Sequence, residues 1–524
     1  MQEVISHREH PVVNPWLIAV SVMLGTFMEV LDTTVVNVSL PHIAGSLGAT
    51  VDEATWVLTS YLVANAIILP MTGWLGNRFG RKRILMISIG GFTIASVLCG
   101  LAPNLPLLLL FRVIQGATGG GLQPLSQAIM LEAFPPEKRG RAMAFWGLGI
   151  VVAPMLGPVL GGWLTDTYSW RWLFYINVPV GILGLIMSEI FVFDPAYIKR
   201  IGAKVDYWGI GLLAVGMGAL QIMLDKGQED DWLSSRFIIT LVVLAVVGLG
   251  CFLVNEMWHP HPIVNLRVFR VRTYSIGVFL MTVLGFVLYG SLVLLPIFLQ
   301  TLLGYSSLDA GVAMLPRGLG SFIAMPIVGL LMAKIEPRKL LFVGLLVAAI
   351  SLWMLGAIDL NAGYWDIFWP QFIQGVSMGF VFVPLTTATH DPISKEQMGN
   401  ATSIFNVMRN IGGSIGIASV TTVVARAAQT NTRILGAHIT PYNPGVRSMM
   451  RGTAGLFASR GGSPPSTAAN QAYGAIFGMV QQQAAMLADV HAFRLLGLIF
   501  LGAIPLILLM HRSRHHGGTE SGVH

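Results

Sequence analysis

Two carboxylates lie three residues apart in a long apolar stretch near the start of the chain. Glu29 and Asp32 belong to the segment EVLDTTVVNVSLP, inside an apolar run that begins near Trp16. A charged side chain in the middle of a bilayer costs about 2.5–3.5 kcal/mol on insertion scales. Residues at this spacing share one face of a helix. We expect that face to point into a helix bundle or a water-filled cavity, where a carboxyl group can exchange a proton.

Arg112 is the expected partner of Asp32. It lies near the start of the fourth apolar run, one helical turn from Gln115. An arginine that approaches and leaves Asp32 would link the protonation of that carboxylate to conformation. The alternatives are a static buried salt bridge and, for the two carboxylates, a structural pair that is hydrogen-bonded to a neighbouring helix.

Two further arginines, Arg317 and Arg409, lie within apolar runs of the second half of the chain. Arg409 has Asn406 one turn earlier, and such a polar patch deep in a span suggests that it lines a cavity. Arg317 lies about nine residues from the end of its run, roughly 13 Å along a helix. It would either line the same cavity or extend to the membrane surface.

Several other chemistries are excluded by the pattern of residues. The chain has no G-x-x-x-x-G-K-[ST] motif, so ATP does not drive it directly. Its two cysteines show no metal-ligand spacing, and we expect no metal and no cofactor. The segment GGSIG, at 412–416, matches a hydrolase motif but lies in an apolar helix rather than at a strand-to-helix turn. We expect a protein that is not an enzyme.

Composition identifies the class of protein. Of the 524 residues 54% are apolar and 11% are charged, whereas soluble domains carry about 25% charge. The chain is therefore an all-α integral membrane protein. A crossing helix needs about 20 apolar residues, and fourteen candidate spans begin near Trp16, Ala54, Ile84, Leu105, Arg141, Trp172, Tyr207, Phe237, Tyr274, Ser307, Leu340, Trp365, Asn400 and Phe493.

The basic residues predict the orientation of these spans. If both termini face the cytoplasm, the termini and cytoplasmic loops hold 20 of the 32 Lys and Arg residues, and the short outer loops hold three. This bias fits the positive-inside rule. Because the basic residues are clustered between apolar runs, they indicate topology and not a nucleic-acid-binding surface.

The chain contains an internal duplication. The segment RVIQGATGGGLQPLSQ, at 112–127, resembles QFIQGVSMGFVFVPLTT, at 371–387, at an offset of 259 residues. We therefore expect two six-helix bundles, 1–199 and 266–524, with two additional helices in 200–265. Parallel halves around a central site are typical of transporters whose halves rock about a cavity.

The motifs resemble those of the major facilitator superfamily. GWLGNRFGRKR, at 73–83, resembles its gating motif A, and FRVIQGATGG resembles motif B. APMLGPVLGG, at 153–162, resembles motif C, which marks antiporters. LDTTVVNVSLP and WRWLFYINVPVG are similar to segments of the fourteen-span drug:proton antiporter family. Motif A here comprises Gly73, Gly76, Asn77, Arg78, Gly80 and Arg81, with Asn77 where the family usually has Asp, and motif C comprises Pro154, Gly157, Pro158, Gly161 and Gly162.

The resemblance implies a function and a set of sites. It implies proton-coupled export of hydrophobic, drug-like compounds across a bacterial inner membrane by alternating access. The alternatives are a dedicated exporter of one metabolite or siderophore, and a passive pore or channel. Proton coupling is assigned to Asp32, Glu29 and Arg112, and motif C to a close-packed seam. The residues assigned to the substrate cavity are Asn37, Gln115, Tyr289, Arg317, Asn406 and Arg409.

The resemblance also implies partners. The family includes pumps of tripartite efflux systems, which pass substrate to a periplasmic adaptor and an outer-membrane channel. The segment 426–489 is the expected external contact for an adaptor, through its flanks around 428–445 and 470–489. It contains a flexible stretch, RGGSPPST, and a helix, QQQAAMLADV, that leads into the last span. A pump that acts without an adaptor is the alternative.

Overall fold

A computed structural model of the chain describes residues 14–194, 205–260, 262–440, 442–461 and 464–510. The regular structure of these residues is entirely helical. The helices of the first bundle are α1 (Pro15–Val38), α2 (Leu40–Leu47), α3 (Val51–Ile68), α4 (Thr72–Phe79), α5 (Arg81–Leu101), α6 (Leu105–Gly119), α7 (Leu122–Ala133), α8 (Arg139–Thr167), α9 (Trp172–Tyr175) and α10 (Asn177–Phe191).

Two helices follow the first bundle, and a second bundle completes the chain. The additional pair is α11 (Tyr207–Lys226) and α12 (Arg236–Trp258). The second bundle contains α13 (Arg272–Thr301), α14 (Ser307–Leu331), α15 (Pro337–Leu355), α16 (Tyr364–His390), α17 (Met398–Ala437), α18 (Pro444–Gly461) and α19 (Pro465–Ile507).

Local sequence signals set where several helices begin. Asn14 caps α1, with a proline at the first helical position. Thr50 and Glu53 form a reciprocal capping box at the start of α3. Gly80 has a φ of 95° and separates α4 from α5, a conformation that glycine adopts without steric penalty. The Asp194 carboxylate accepts a hydrogen bond from the Lys82 backbone N–H beside this turn (2.8 Å).

The expectation of fourteen spans is confirmed: fourteen helical segments in the described residues are long and apolar enough to cross a membrane. Thirteen begin within about five residues of the positions expected from sequence. The last differs, because its helix begins at Pro465 rather than near Phe493.

The segment 426–489 differs from expectation for the same reason. We expected a long loop with a flexible centre and a helix at QQQAAMLADV, but nearly all of its described residues belong to α17, α18 and α19. These helices contain many polar and small residues, so their mean hydropathy is too low to predict a span, although Ala and Gln favour helix. The centre of RGGSPPST lies partly outside the described residues, so its flexibility stays a prediction.

The two bundles repeat one packing plan. In the first bundle α1 packs against α8 and α10, α6 packs against α3 and α5, and α5 packs against α10. In the second bundle α13, α14, α15, α16, α17 and α19 reproduce these contacts in the corresponding order. The duplication seen in the sequence is therefore a duplication of helix packing.

The halves meet along two main contacts. Helix α8 packs against α14, and α17 packs against α4 and α7. We call the side of the molecule that contains Asn14, Gly80 and the 134–138 turn the terminal face, and the opposite side the α18 face. Near the terminal face, a Cβ atom at Gly73 of α4 would lie 2.7 Å from Asn400 Cα of α17, so the two backbones are in direct contact.

The additional helix α11 lies against both halves. It packs on α3 of the first bundle and on α17 of the second. Lys226 donates to Thr55 Oγ1 of α3 (2.5 Å), and Ser414 of α17 donates to Gln221 (3.1 Å). Helix α12 packs on α11 and exposes most of its apolar side chains, as expected of a helix at the lipid boundary.

Motif C provides part of the seam that we expected, between α8 and α1. A Cβ atom at Gly157 would lie 2.6 Å from Thr34 Cβ, and one at Gly161 would lie 2.7 Å from the Val35 carbonyl oxygen. Gly162 does not belong to this seam, because a Cβ atom there would meet nothing within 4 Å. Pro158 faces the other half, near Gly311 of α14.

These glycines provide a matched test of packing. Gly157→Ala should lower the midpoint of thermal unfolding in detergent by several degrees, because overpacking a tight contact costs about 1–3 kcal/mol. Gly162→Ala makes the same chemical change on the same helix and should leave the midpoint within about one degree of wild type, since the added methyl group meets no atom within 4 Å. Equal midpoints for the two variants would contradict the close contact between α1 and α8.

Candidate functional site

The structure brings Asp32 and Arg112 into a buried ion pair. Arg112 Nη1 donates to Asp32 Oδ2 at 2.5 Å, and both side chains are fully buried. Asp32 lies on α1 and Arg112 on α6, so the pair connects two helices of one bundle. The partner expected from sequence is the partner found.

Neutral polar groups surround the Asp32 carboxylate. Oδ1 accepts hydrogen bonds from Gln115 Nε2 (3.1 Å) and from Asn177 Nδ2 (2.8 Å). Both amides also donate to Ser96 Oγ. Asn177 and Ser96 were not identified from sequence, although Asn177 belongs to the quoted segment WRWLFYINVPVG. A carboxylate with three donors is well satisfied without solvent.

Arg112 is held on more than one side. Its Nε donates to the Val57 carbonyl oxygen (3.0 Å), and its Nη1 also donates to Gln115 Oε1 (2.7 Å). The guanidinium carbon lies 4.2 Å from the centroid of the Tyr61 ring, within the range of a cation–π contact. A planar fork can make these contacts together, whereas a point charge cannot.

Glu29 lies on the same helix face but in a different environment. Asn65 donates to its Oε1 (2.9 Å). Its Oε2 has no hydrogen-bond partner in the described residues. The two carboxylates are therefore not equivalent, because only Asp32 has an arginine in direct contact.

The second bundle contains a related cluster without a carboxylate. Arg317 donates to Gln374 and to Ser291 Oγ (3.1 Å). Gln374 corresponds to Gln115 in the repeat, and Gln371 stands at the position of Arg112. Arg317 is 0% exposed, so it does not extend to the membrane surface, which was one of the two alternatives. The position of Arg317 around the axis of its helix, and not its distance from the helix end, determines where this side chain points.

A polar seam connects α7 of the first bundle with α17 of the second. Thr402 donates to the Pro124 carbonyl oxygen (3.0 Å), Asn406 donates to Gln127 Oε1 (2.5 Å), and Arg409 donates to Gln123 Oε1. We use the name "polar seam" for these three contacts below. Gln123 and Gln127 were not identified from sequence.

A small cavity lies between the halves, close to this seam. Its volume is about 20 Å³, and it is lined by Ile150, Val151, Pro154, Met155, Leu288, Tyr289, Leu292, Phe382 and Arg409. Arg409 is 1% exposed, and its Nε and Nη1 have no hydrogen-bond partner in the described part of the chain. The lining is apolar and aromatic except for this one cation.

Of the six residues predicted to line the substrate cavity, Tyr289 and Arg409 line this cavity, and their contact with substrate stays a prediction. Gln115 does not line this cavity, since it is buried in the Asp32 cluster, and Asn406 lies in the polar seam. Arg317 is enclosed by the second bundle, and Asn37 is exposed towards the α18 face. A sequence motif gives the position of a residue along its helix but does not specify which neighbouring helix its side chain contacts.

Motif A lies at the terminal face, where the halves touch. Arg81 pairs with Glu132 at the end of α7 and donates to the Lys395 carbonyl oxygen of the other half (3.5 Å). Gly73 provides the close approach to α17, and Gly76 lies against Arg81 and Leu125. Asn77 is half-buried, and the Arg78 guanidinium lies 5.5 Å from the Trp74 ring.

Residues 22–417 match the model of the Major Facilitator Superfamily. The chain belongs to this family. Its members are transporters and not enzymes, and fourteen spans together with this membership make the chain a multi-pass protein of the inner membrane.

Similar proteins that are named as multidrug exporters support drug export as the activity. The multidrug export protein EmrB of Haemophilus influenzae is 42% identical over 430 residues, which are 82% of this chain and 84% of that protein. EmrB of Escherichia coli K12 is 36% identical and covers 97% of this chain and 98% of its own. The fatty acid resistance protein FarB of Neisseria gonorrhoeae is 38% identical, over 96% of this chain and 97% of FarB.

Solved structures agree with the fold. A crystal structure of a double Trp mutant of XylE superposes with a TM-score of 0.61 and covers 96% of this chain and 97% of that one. At 16% sequence identity, this likeness concerns the fold alone. It confirms the major facilitator fold that the motifs imply.

The geometry around Arg112 predicts that lysine cannot replace it. Arg112→Lys should lose the contacts to Val57 and Gln115 and lower the stability of the purified protein by about 1–3 kcal/mol, because buried polar groups are left unpaired. Thermal unfolding in detergent measures this loss. Arg433→Lys, at an exposed position of α17, is the control and should be neutral. Wild-type stability of Arg112→Lys would show that only the charge matters.

Proposed function

We propose that this protein exports hydrophobic, drug-like compounds in exchange for protons by alternating access. The observation that carries the proposal is the buried Asp32–Arg112 pair at 2.5 Å, inside the membrane and between two helices of one bundle. An ionisable pair at this depth is expensive and marks a functional site in membrane proteins.

Proton binding at Asp32 would change the forces that hold the bundle. A neutral carboxyl group attracts the Arg112 guanidinium much less than a carboxylate does, and the buried guanidinium then favours a different arrangement of α1 and α6. Gln115, Asn177 and Ser96 hold Asp32 in this arrangement. Protonation from one side and release to the other would thus accompany the change of conformation.

The proton gradient is the expected source of energy. The chain has no P-loop, and a charge that crosses 100 mV yields about 2.3 kcal/mol. The positive-inside bias favours a cytoplasmic position for the terminal face and both termini. The contacts of Arg81 and Gly73 with the second half then form the cytoplasmic gate, which is closed in this arrangement.

The substrate is expected to contact the cavity between the halves. The lining by Tyr289, Phe382 and aliphatic side chains suits hydrophobic molecules, and Arg409 provides one polar contact. A cavity of about 20 Å³ is too small for a drug-like molecule, so the halves must separate before it binds. Met155 adds an adaptable surface, which suits varied ligands.

A second candidate function is the dedicated export of one metabolite with an acidic head and an apolar body. The likeness to FarB and the unpaired nitrogens of Arg409 in an apolar cavity favour it. A broad toxicity panel separates the candidates. Protection against many unrelated dyes and drugs supports multidrug export, and protection against a single class, such as fatty acids, supports the dedicated exporter.

We also propose that the α18 face contacts a periplasmic adaptor, which passes substrate to an outer-membrane channel. Helix α17 has 40 residues, about 60 Å at 1.5 Å per residue, whereas the hydrocarbon core is about 30 Å thick. Roughly half of α17, and a similar part of α19, therefore extends beyond the bilayer beside α18. This extension exposes apolar side chains, among them Ile434, Tyr473 and Phe477, and Tyr442 is exposed between α17 and α18.

Asp32→Asn is the direct test of coupling. It should abolish dye export driven by an imposed pH gradient in inverted membrane vesicles, because the amide cannot exchange a proton. Insertion and folding should be kept, since the amide can still accept from Asn177. If the Asn variant exports dye at the wild-type rate with the same pH dependence, Asp32 is structural.

The adaptor contact predicts different results in cells and in vesicles. Replacing Ile434, Tyr442, Tyr473 and Phe477 with Ser should reduce drug resistance in cells at least several-fold, because these exposed apolar side chains would no longer bind the adaptor. Export by inverted vesicles should stay near wild type. Equal losses in both assays would mean that this surface supports the fold instead. Full resistance in cells that lack any adaptor would identify a pump that acts alone.

A further inference from the structure

The connection between α11 and α12 contacts both halves of the molecule at the α18 face. We call residues 225–232, the end of α11 and the turn that follows it, the bridging turn. Lys226 donates to Thr55 Oγ1 of α3 (2.5 Å), and the Asp225 carboxylate accepts from Thr59 of the same helix. These contacts attach the bridging turn to the first bundle.

The same turn is also attached to the second bundle. Trp232 Nε1 donates to Thr422 Oγ1 of α17 (3.0 Å), and Thr422 Oγ1 donates to Gln228 Oε1 (2.7 Å). Trp232 Nε1 also donates to this Gln228 oxygen (3.2 Å). The bridging turn therefore joins α3 of one half to α17 of the other.

The backbone of the bridging turn is strained where it carries the indole. Asp231 has a φ of 52° and Trp232 a φ of 50°, and they are the only non-glycine residues with positive φ in the described part of the chain. Bulky side chains rarely adopt this region, and they persist there only where the surroundings hold them. Here the Trp232 N–H donates to the Gly227 carbonyl oxygen (2.7 Å), and a Cβ atom at Gly227 would lie 2.6 Å from the indole. Contact with Gly227 and with Thr422 thus holds Trp232 in a conformation that it would not adopt alone.

We propose that the bridging turn is a latch, which joins α3 to α17 at the α18 face and releases Thr422 when the halves separate there. This inference rests on the proposed function, because alternating access requires the halves to separate at this face to release substrate. It assigns a role to the additional helix pair, which contributes no hydrogen bond to the Asp32 carboxylate in the described residues.

The chemistry of the two attachments determines which of them opens. The bonds to the first bundle involve the charged groups of Asp225 and Lys226, and Lys226 is buried. The bonds to Thr422 connect neutral groups, as does the bond that Ser414 of α17 donates to Gln221. Charge-assisted hydrogen bonds are about twice as strong as neutral ones. The bonds to α17 therefore break, and the bridging turn moves with the first bundle.

Strain in the backbone favours the same direction of release. Once Thr422 has moved away, Asp231 and Trp232 are free to return to negative φ, which is the ordinary region for their side chains. Relief of this strain offsets part of the lost hydrogen bonding. The closed latch is thus favoured by a small difference between two opposing effects, as a contact that opens in each transport cycle requires.

Three exposed positions at the α18 face allow the opening to be measured with pairs of spin labels. Thr167→Cys labels the first half, Gln429→Cys the second half and Asp230→Cys the bridging turn, in protein that lacks Cys99 and Cys251. Pulsed electron paramagnetic resonance gives the distances in the purified protein. The distances from Gln429 to the other two positions should lengthen together, while the distance between Thr167 and Asp230 stays constant. A distance between Thr167 and Asp230 that changes as the halves separate would overturn the inference.

Two Trp-to-Phe changes on the additional helix pair provide a matched comparison. Trp232→Phe removes the indole N–H that binds α17, and Trp208→Phe makes the same change at an 80% exposed position near the start of α11. Trp232→Phe should raise the ratio of long to short distances between Thr167 and Gln429 about five-fold, as expected for the loss of one hydrogen bond. Trp208→Phe should keep the wild-type ratio. Equal ratios in the two variants, or no long distance in any protein, would overturn the inference.

Thr422→Val tests the partner of the indole. It removes the hydroxyl group at nearly constant volume and should raise the ratio at least as much as Trp232→Phe. Adding Trp232→Phe to Thr422→Val should cause no further rise, since the bond is already absent. A further five-fold rise would contradict the latch, because the indole would then act without Thr422. Wild-type vesicles without gradient-driven dye export would overturn the proposed function instead, while the distances would still test the latch.

Discussion

Taking a carboxylate and a guanidinium out of water costs several kcal/mol for each ion, and only close pairing with further hydrogen bonds offsets this cost. The first bundle is built around that constraint. Asp32 and Arg112 come from α1 and α6, and Gln115, Asn177 and Ser96 complete the surroundings of the carboxylate from three further positions. Five side chains from α1, α5, α6 and α10 thus meet at one point, and the packing of these helices is the packing that this pair requires.

The second bundle uses the same architecture without the acid. Arg317, Gln374 and Ser291 form a cluster like that of the first bundle, but a serine hydroxyl accepts where Asp32 accepts in the first. A duplication has therefore kept the helix packing while the chemistry has diverged. In the described residues the carboxylates in the middle of the membrane belong to α1, and two arginines of the second bundle, Arg317 and Arg409, have no acid in direct contact. Proton exchange is thus an expected task of the first bundle, and we expect both bundles to contact the substrate.

The sequence was sufficient to predict the features that have a large effect on the free energy of membrane insertion. Charges within apolar runs are costly, so Asp32, Glu29 and Arg112 could be identified, and long apolar runs revealed fourteen spans. Asn177, Ser96 and Gln123 could not be identified, because neutral polar residues in a span are common and their partners lie up to 286 residues away. Gln115 was assigned to the cavity because a motif does not specify which face of a helix meets which neighbour. Of the helices in 426–489, only the stretch QQQAAMLADV, at 481–490, was expected, and the rest were missed because their polar sequence has no hydropathy signal.

The central claim is that movement of substrate and movement of protons are one event at the Asp32–Arg112 pair. The most direct measurement is proton flux in liposomes that contain only the purified protein, with a pH gradient imposed and an internal pH-sensitive dye. Addition of an exported dye should accelerate the collapse of the gradient in the wild type and leave it unchanged in Asp32→Asn. Passage of the dye across wild-type liposomes with no accompanying proton flux would contradict the claim.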